Sequence, residues 1–432
     1  MRLSASIRTL LALAVLSTPS IGFAIGDSFS DGFYTRGVEA ASYIDQGGAI
    51  YDPFYLPVQS WSLLPRVSLT VTHEDNVFLE PEDGTANTSV ALVPGLLAVW
   101  GRPANNHVYA DYGARFSLYE SEGEVNDRPS HMLRLGAVYR TGKSQIQAQA
   151  GFRHAEEADE VLGARVTKRN YSLGLGAEHR LNGKSSLGLQ GNVERHEYDA
   201  ERYIDYDRIY GAGRYYRRLT PKSQGFVQGG IGRDEPHRSE YSASAADFYD
   251  VSLGVRGKQT PKIGAVGRVG YMWRLYDDEH RGDYENWVAS LRASSSPFGL
   301  TTLSAELYAD ITPAVDADGV DAVNRGLTLK ANRRLFFERL RGSGSFTLGQ
   351  TEYVGLSSGA DDDAGTTKPR DGRTDDYWGF SLGVDWWTKK NVSVGLAYSY
   401  TRREGSRGDD AETRRATSYE SGRWTLRVSW NY

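Results

Sequence analysis

The chain has 432 residues, no cysteine, a net charge of −5 at pH 7, 39% hydrophobic residues and 24% charged ones. The lack of cysteine excludes a disulfide scaffold, a thiolate metal site and a lipid-modified N-terminal cysteine; the longest apolar run, residues 10–16, excludes a helical membrane bundle, whose spans need about 20 apolar residues each. Two features are unusual for a soluble protein: 48 glycines, about 11% of the chain against about 7% in ordinary proteins, and 27 tyrosines against 14 phenylalanines.

The first element is a secretory leader. Arg2 and Arg8 precede the apolar run, Pro19 and Ser20 break it, and Gly22-Phe23-Ala24 places small residues at a cleavage site, so residues 1–24 read as a signal peptide. A secreted chain without cysteine fits the periplasm or outer membrane of a Gram-negative bacterium. Residues 25–62 do not alternate and mix Gly, Asp, Tyr and Pro, as in Tyr51-Asp52-Pro53-Phe54-Tyr55-Leu56-Pro57. They are expected to form a periplasmic extension, either a disordered tail or an aromatic docking segment or partial plug.

From residue 63 to 432 the pattern is a two-residue period that breaks and restarts. Alternate residues of a strand point to opposite faces, so each segment has one apolar face and one polar or tiny one. The first is Val67/Leu69/Val71, followed by a weaker segment at 90–100 and by Ala110/Tyr112/Ala114/Phe116/Leu118. Leu133/Leu135/Ala137/Tyr139, Ile146/Ala148/Ala150/Phe152, Tyr171/Leu173/Leu175/Ala177 and Leu187/Leu189/Val193 continue the series. Segment 206–219 carries Tyr and Arg on both parities and resists assignment; 225–232 is weak. Then come Tyr249/Val251/Leu253/Val255, Ile263 to Leu275, a weaker 286–294, Leu303/Ala305/Leu307/Ala309/Ile311, and weaker 324–335 and 342–354. The last three are Trp378/Phe380/Leu382/Val384/Trp386, Val392/Val394/Leu396/Tyr398/Tyr400 and Trp424/Leu426/Val428/Trp430/Tyr432.

That is about eighteen segments, with sixteen as the nearest alternative. A tilted strand crosses the hydrocarbon in about 9–11 residues, whereas strands of soluble sandwiches average about 5–6. The fold expected is an all-β, antiparallel, up-and-down transmembrane barrel. The connections alternate as such a barrel requires. Short ones carry turn chemistry, as in Thr141-Gly142-Lys143-Ser144, Asn182-Gly183-Lys184 and Thr220-Pro221-Lys222-Ser223; long ones lie between them, including 155–168, 234–246 and 356–375. The long connections are acidic (Glu156, Glu157, Asp361-Asp362-Asp363) and the short ones carry Lys. Acidic outer loops can bind divalent cations near lipopolysaccharide, or simply stay hydrated. Aromatics gather at segment ends, as at Trp100, Tyr119, Trp273, Tyr276, Tyr377-Trp378 and Trp386-Trp387, and are expected to form the interfacial girdles.

If the apolar parity faces lipid, the other parity lines the interior. The candidate lining residues are Arg115, Arg134, Arg153, Arg180, Arg256, Arg268 and Arg274 in the first two-thirds of the chain. Arg292, Glu306, Asp310, Lys330, Asp385 and Arg427 complete them. Asp111, Glu178 and Asp250 share that parity, yet basic residues remain in excess, and a positive lumen would favour anions. The closing segment, with Trp424, Leu426, Val428, Trp430 and Tyr432, is expected to serve as the assembly signal read by the barrel assembly machinery. The eight His show no metal-ligand spacing, no Gly-x-Ser-x-Gly elbow accompanies them, and no phosphate loop or nucleic-acid motif is present. No catalytic residue, metal, cofactor or nucleic-acid partner is therefore expected.

The first segment ends in Val71-Thr72-His73-Glu74-Asp75-Asn76-Val77-Phe78. This acidic-Asp-Asn-Val-Phe block at the end of strand one resembles the family called Putative beta-barrel porin 2. The likeness covers about residues 62–432. It implies an outer-membrane barrel, and an association with exopolysaccharide synthesis and export. The resulting expectation is a conduit for exopolysaccharide, working with a periplasmic polysaccharide-export protein and embedded in outer-membrane lipid and lipopolysaccharide. A general or anion-preferring porin for small solutes is the alternative; a barrel enzyme or surface adhesin is the second.

Overall fold

A computed structural model describes residues 61–80, 84–101, 106–121, 129–159, 164–199, 203–237, 245–260, 263–278, 282–297, 300–313, 321–335, 339–354, 374–389, 391–405 and 418–431. The leader, residues 1–24, and nearly all of the expected extension, 25–60, lie outside these residues, as does Tyr432.

Eighteen strands are present. They are β1 (Trp61–Glu74), β2 (Asn87–Gly101), β3 (His107–Tyr119), β4 (Ser130–Arg140), β5 (Ser144–Asp159) and β6 (Ala164–Arg180). Next are β7 (Ser185–Tyr198), β8 (Tyr206–Thr220), β9 (Ser223–Pro236), β10 (Ala246–Thr260), β11 (Ile263–Tyr276) and β12 (Tyr284–Ser295). The last are β13 (Thr301–Thr312), β14 (Asp321–Arg334), β15 (Leu340–Val354), β16 (Thr374–Lys389), β17 (Val392–Gly405) and β18 (Tyr419–Asn431). Each pairs antiparallel with its sequence neighbours, and β1 closes on β18 through a register from Arg66↔Asn431 to Glu74↔Arg423. The sheet is one up-and-down barrel of eighteen strands. No strand edge is left over, which is what a lipid-embedded sheet requires.

The even count puts both ends of the barrel chain at the same rim, here called the turn end; the opposite rim is the loop end. The short turns use the side chains expected of them. Thr141 Oγ1 accepts the Ser144 amide at 2.9 Å, Asn182 Oδ1 accepts the amides of Lys184 and Ser185 at 2.8 and 3.0 Å, and Thr220 Oγ1 accepts that of Ser223 at 3.0 Å. Each replaces a backbone bond that a tight turn leaves unmade.

Register settles the faces. Leu189, Leu253, Leu382 and Trp287 stand exposed on one parity, while the polar parity makes contacts that skip strands. Arg256 on β10 reaches Glu178 on β6 at 2.7 Å, Arg274 on β11 reaches Asp234 on β9 at 2.6 Å, and the Tyr308 and Tyr377 hydroxyls of β13 and β16 meet. A contact that spans three intervening strands, as between Arg256 and Glu178, is possible only on the concave side, so the polar parity faces the interior.

Two expectations need correction. The connection 155–168 is mostly strand: β5 runs to Asp159 and β6 starts at Ala164, paired through Glu156↔Thr167 and Glu157↔Val166. The connection expected at 234–246 is only trimmed, since β9 reaches Pro236 and β10 begins at Ala246. Apolar alternation ends where lipid ends, but backbone pairing does not need apolar side chains, so the strands continue beyond the hydrocarbon. The aromatics at segment ends also divide. Adjacent residues of a strand cannot share a face, so Trp378 points outward and Tyr377 inward, and Trp386 points outward while Trp387 stacks inside under Arg341. The outward ones still form girdles. Trp378, Tyr398 and Trp424 pack near the loop end, with the last two rings 4.6 Å apart, and Trp61, Trp100, Tyr139 and Trp386 stand exposed near the turn end.

Candidate functional site: the inner wall

The register of β8 resolves the segment that the sequence left open. Asn192↔Tyr210, Glu194↔Arg208 and Arg214↔Gln228 put Arg208, Tyr210, Arg214, Tyr216 and Arg218 inside, with Ile209, Tyr215 and Leu219 outside. On β8–β11 the inner wall is a packed layer rather than a sparse hydrated surface. At the turn end Arg256 binds Glu178 through 2.7 and 2.8 Å contacts, donates its Nε–H to Gln224 Oε1 at 2.8 Å and lies 3.7 Å over the Tyr216 ring. Neighbouring strands lie about 4.8 Å apart, so four steps along a flat sheet are roughly 19 Å, farther than these two side chains reach together. The sheet is therefore sharply curved at β6–β10.

Higher up, Tyr210 donates to Asp250 at 2.6 Å, and Gln228 donates to both at 2.9 and 3.0 Å. Inward glycines seat inward rings: a Cβ on Gly254 would collide with the Phe226 ring, and one on Gly232 with Phe248. At the loop end Arg208 forms a two-pronged pair with Asp234 (2.6 and 2.9 Å), Arg274 joins Asp234 at 2.6 Å, and Arg274 also reaches Asp321 at 2.5 Å. Arg274, Asp234 and Asp321 are all buried, so each charge depends on its partner.

The sequence-derived lining residues are placed as follows. Arg134 pairs with Asp111 at 2.6 Å, Asp111 also pairs with Arg66, Arg292 pairs with Glu306, and Arg427 pairs with Asp385 at 2.8 Å. Arg115 donates to Ser117 at 3.1 Å. Arg153, Arg268 and Asp310 lie on the inner parity opposite Met132, Gly254 and Asn324. Arg180 and Lys330 stand exposed on that parity at the turn end, and Arg218 stands beside them in kind. Much of the basic excess is thus internally paired, and the exposed part concentrates at the turn end.

Several inward groups were not singled out by sequence: Arg66, Arg208, Asp234, Arg403, Asp375, Glu74 and Arg423. Arg403 and Asp375 form a buried pair at 2.7 Å, and Arg423 pairs with Glu74. All but Arg208, which lies in the unassigned segment 206–219, flank an apolar alternation, and continuing its parity outward would have found them. On β18, Trp424, Leu426, Val428 and Trp430 share the outward face; Tyr432 is outside the described residues. Among the described residues no cluster of three His, Cys, Asp or Glu could hold a metal ion.

No curated protein matches the chain. Among solved structures, the outer membrane protein OpdK of Pseudomonas aeruginosa is 12% identical, with 86% of this chain and 99% of that chain covered and a TM-score of 0.46. OccAB4 of Acinetobacter baumannii is 11% identical over 87% and 99%, with a TM-score of 0.44. A bacterial polysaccharide outer membrane secretin is 9% identical over 85% and 98%, with a TM-score of 0.34. The family model Putative beta-barrel porin 2 matches residues 49–419, so this closed barrel, with its polar interior and apolar exterior, belongs to that family and resides in the outer membrane of a Gram-negative bacterium.

Proposed function

We propose that the protein is a channel for small hydrophilic solutes with a preference for anions. The observation that carries this reading is the exposed basic group of Arg180, Arg218 and Lys330 on the inner face at the turn end of an eighteen-strand barrel. Barrels of 16–18 strands enclose an aqueous lumen, and like charges at its mouth focus a potential that enriches counter-ions. By the general rule for outer-membrane barrels the short turns are periplasmic, so this charge marks the inner mouth. The paired charges of β8–β11 brace the wall and narrow one side of the lumen. The outward face of β18, with Trp424, Leu426, Val428 and Trp430, serves as the assembly signal.

Exopolysaccharide export with a periplasmic partner was the expectation drawn from family resemblance, and no geometric feature favours it over solute passage. The docking segment it invoked falls in residues 25–62, of which only Trp61 and Ser62 are described. An enzyme or adhesin finds no favouring observation either. Ion selectivity in planar bilayers tests the proposal: the folded barrel should pass current with chloride favoured over potassium. Polysaccharide retained in a deletion strain whose solute uptake is intact would overturn it in favour of export.

A further inference from the structure

The outward parity changes character abruptly at the loop end. Below the change it is apolar, with Tyr171, Val193, Ile209, Ile231 and Tyr249 exposed. Immediately above, the same face carries two Arg–carboxylate clusters, one on β6–β8 and one running from β9 to just past β11. Arg169 on β6 binds Glu197 at 3.3 Å and also Asp199; Arg195 on β7 binds Asp207 through two 2.8 Å bonds. Arg233 on β9 binds Glu235 at 2.7 Å, Asp247 on β10 at 3.2 Å and Asp277 after β11 at 2.6 Å.

All three arginines remain about 40–50% exposed. Exposed ion pairs of this kind add little to stability, so the clusters are poorly explained as a brace. Their carboxylates also outnumber their arginines, and Asp207, which His237 Nε2 also contacts at 3.0 Å, lies directly opposite Glu235 on the same face. Like charges in register are unfavourable unless something cationic lies nearby.

We propose that this belt docks the phosphorylated headgroup of an outer-leaflet glycolipid, lipopolysaccharide. It is continuous with the lipid-facing surface and sits directly above the Tyr171 and Tyr249 level, at the height of the headgroups when the loop end faces out. The guanidinium groups of Arg169, Arg195 and Arg233 take phosphate oxygens, for which their fork geometry is suited. Divalent cations bridge the surplus carboxylates to further phosphates. Because no three described carboxylates converge on a cation alone, the cation is held jointly by protein and lipid. The assignment is independent of what passes through the lumen.

The test measures rough lipopolysaccharide retained by the purified, folded barrel after washing in detergent with magnesium. Replacing Arg169, Arg195 and Arg233 together by Gln should lower retention by roughly tenfold, the equivalent of about one charge-assisted hydrogen bond, and leave conductance unchanged. Wild-type barrel should lose retention to a similar degree with dephosphorylated lipopolysaccharide or with chelator. Undiminished retention by the folded triple variant would overturn the proposal. If the variant fails to fold, equal retention of intact and dephosphorylated lipopolysaccharide by wild type would overturn it.

Discussion

Asp75 and Gly422, 347 positions apart in sequence, hold each other twice: the Gly422 amide donates to Asp75 Oδ1 at 2.7 Å, and the Asp75 amide donates to the Gly422 carbonyl at 3.1 Å. The clamp sits where β1 leaves the sheet, beside the seam that β18 closes. The next residue extends it. Asn76 donates to the carbonyls of Glu420 at 2.9 Å and Glu80 at 2.7 Å, and accepts the Glu80 amide at 2.8 Å. Glu80 in turn takes the Thr85 amide and hydroxyl at 2.9 and 2.8 Å. The block that carried the family resemblance therefore latches the barrel's first strand to its last and folds the following loop over the joint.

Replacing Asn76, itself buried, with Ala removes three of these bonds and takes a donor from the Glu80 and Glu420 carbonyls. The expected loss is about 2–4 kcal/mol, with slower closure of the barrel. Refolding into detergent, followed by heat-modified mobility on gels, checks both. Asp75→Ala should act in the same direction and less strongly, because the backbone half of the clamp survives.

The buried quartet of Arg208, Asp234, Arg274 and Asp321 gives a second outcome. Arg274→Ala takes the arginine from buried Asp321 and leaves Asp234 with Arg208, and should cost about 3–5 kcal/mol in urea unfolding. Arg274→Met combined with Asp321→Asn removes the charge left without its arginine and keeps the Arg208–Asp234 pair. It should recover much of that loss, because buried charges are costly chiefly when left unpaired.

The chord between Arg256 and Glu178 predicts a change in conduction. Arg256→Ala removes a side chain that lies over Tyr216 and spans from β10 to β6, so single-channel conductance should rise. Glu178→Gln keeps the volume and should leave conductance closer to wild type. Equal conductance in wild type and Arg256→Ala would show that the chord lies off the permeation path.

The barrel was legible in sequence because lipid imposes one simple rule, apolar at every second position, and that rule survives in segments as clear as β16 and β18. It was not legible where lipid stops. Glu156 to Asp159 and Asp234 to Pro236 read as loops, yet they pair as strand, because ladder hydrogen bonds are indifferent to side-chain polarity. Parity located Arg256, Arg292 and Arg427 and their partners Glu178, Glu306 and Asp385 on the inner face, but not the pairings, since which acid meets which base depends on strand stagger and curvature. Arg256 with Glu178 is the extreme case, a pairing set by how sharply the sheet bends. In β8 the inward Arg214 and outward Arg217 are indistinguishable by residue type; only the neighbouring strands' register separates them.

The central claim is a water-filled channel with a basic inner mouth, and the reversal potential of the folded barrel in a planar bilayer under a potassium chloride gradient tests it most directly. Stepwise ohmic conductance should reverse toward the chloride equilibrium potential, with that bias reduced when Arg180, Arg218 and Lys330 are replaced together by Gln. Folded protein that inserts without conducting, or a reversal potential on the potassium side in wild type, would contradict it.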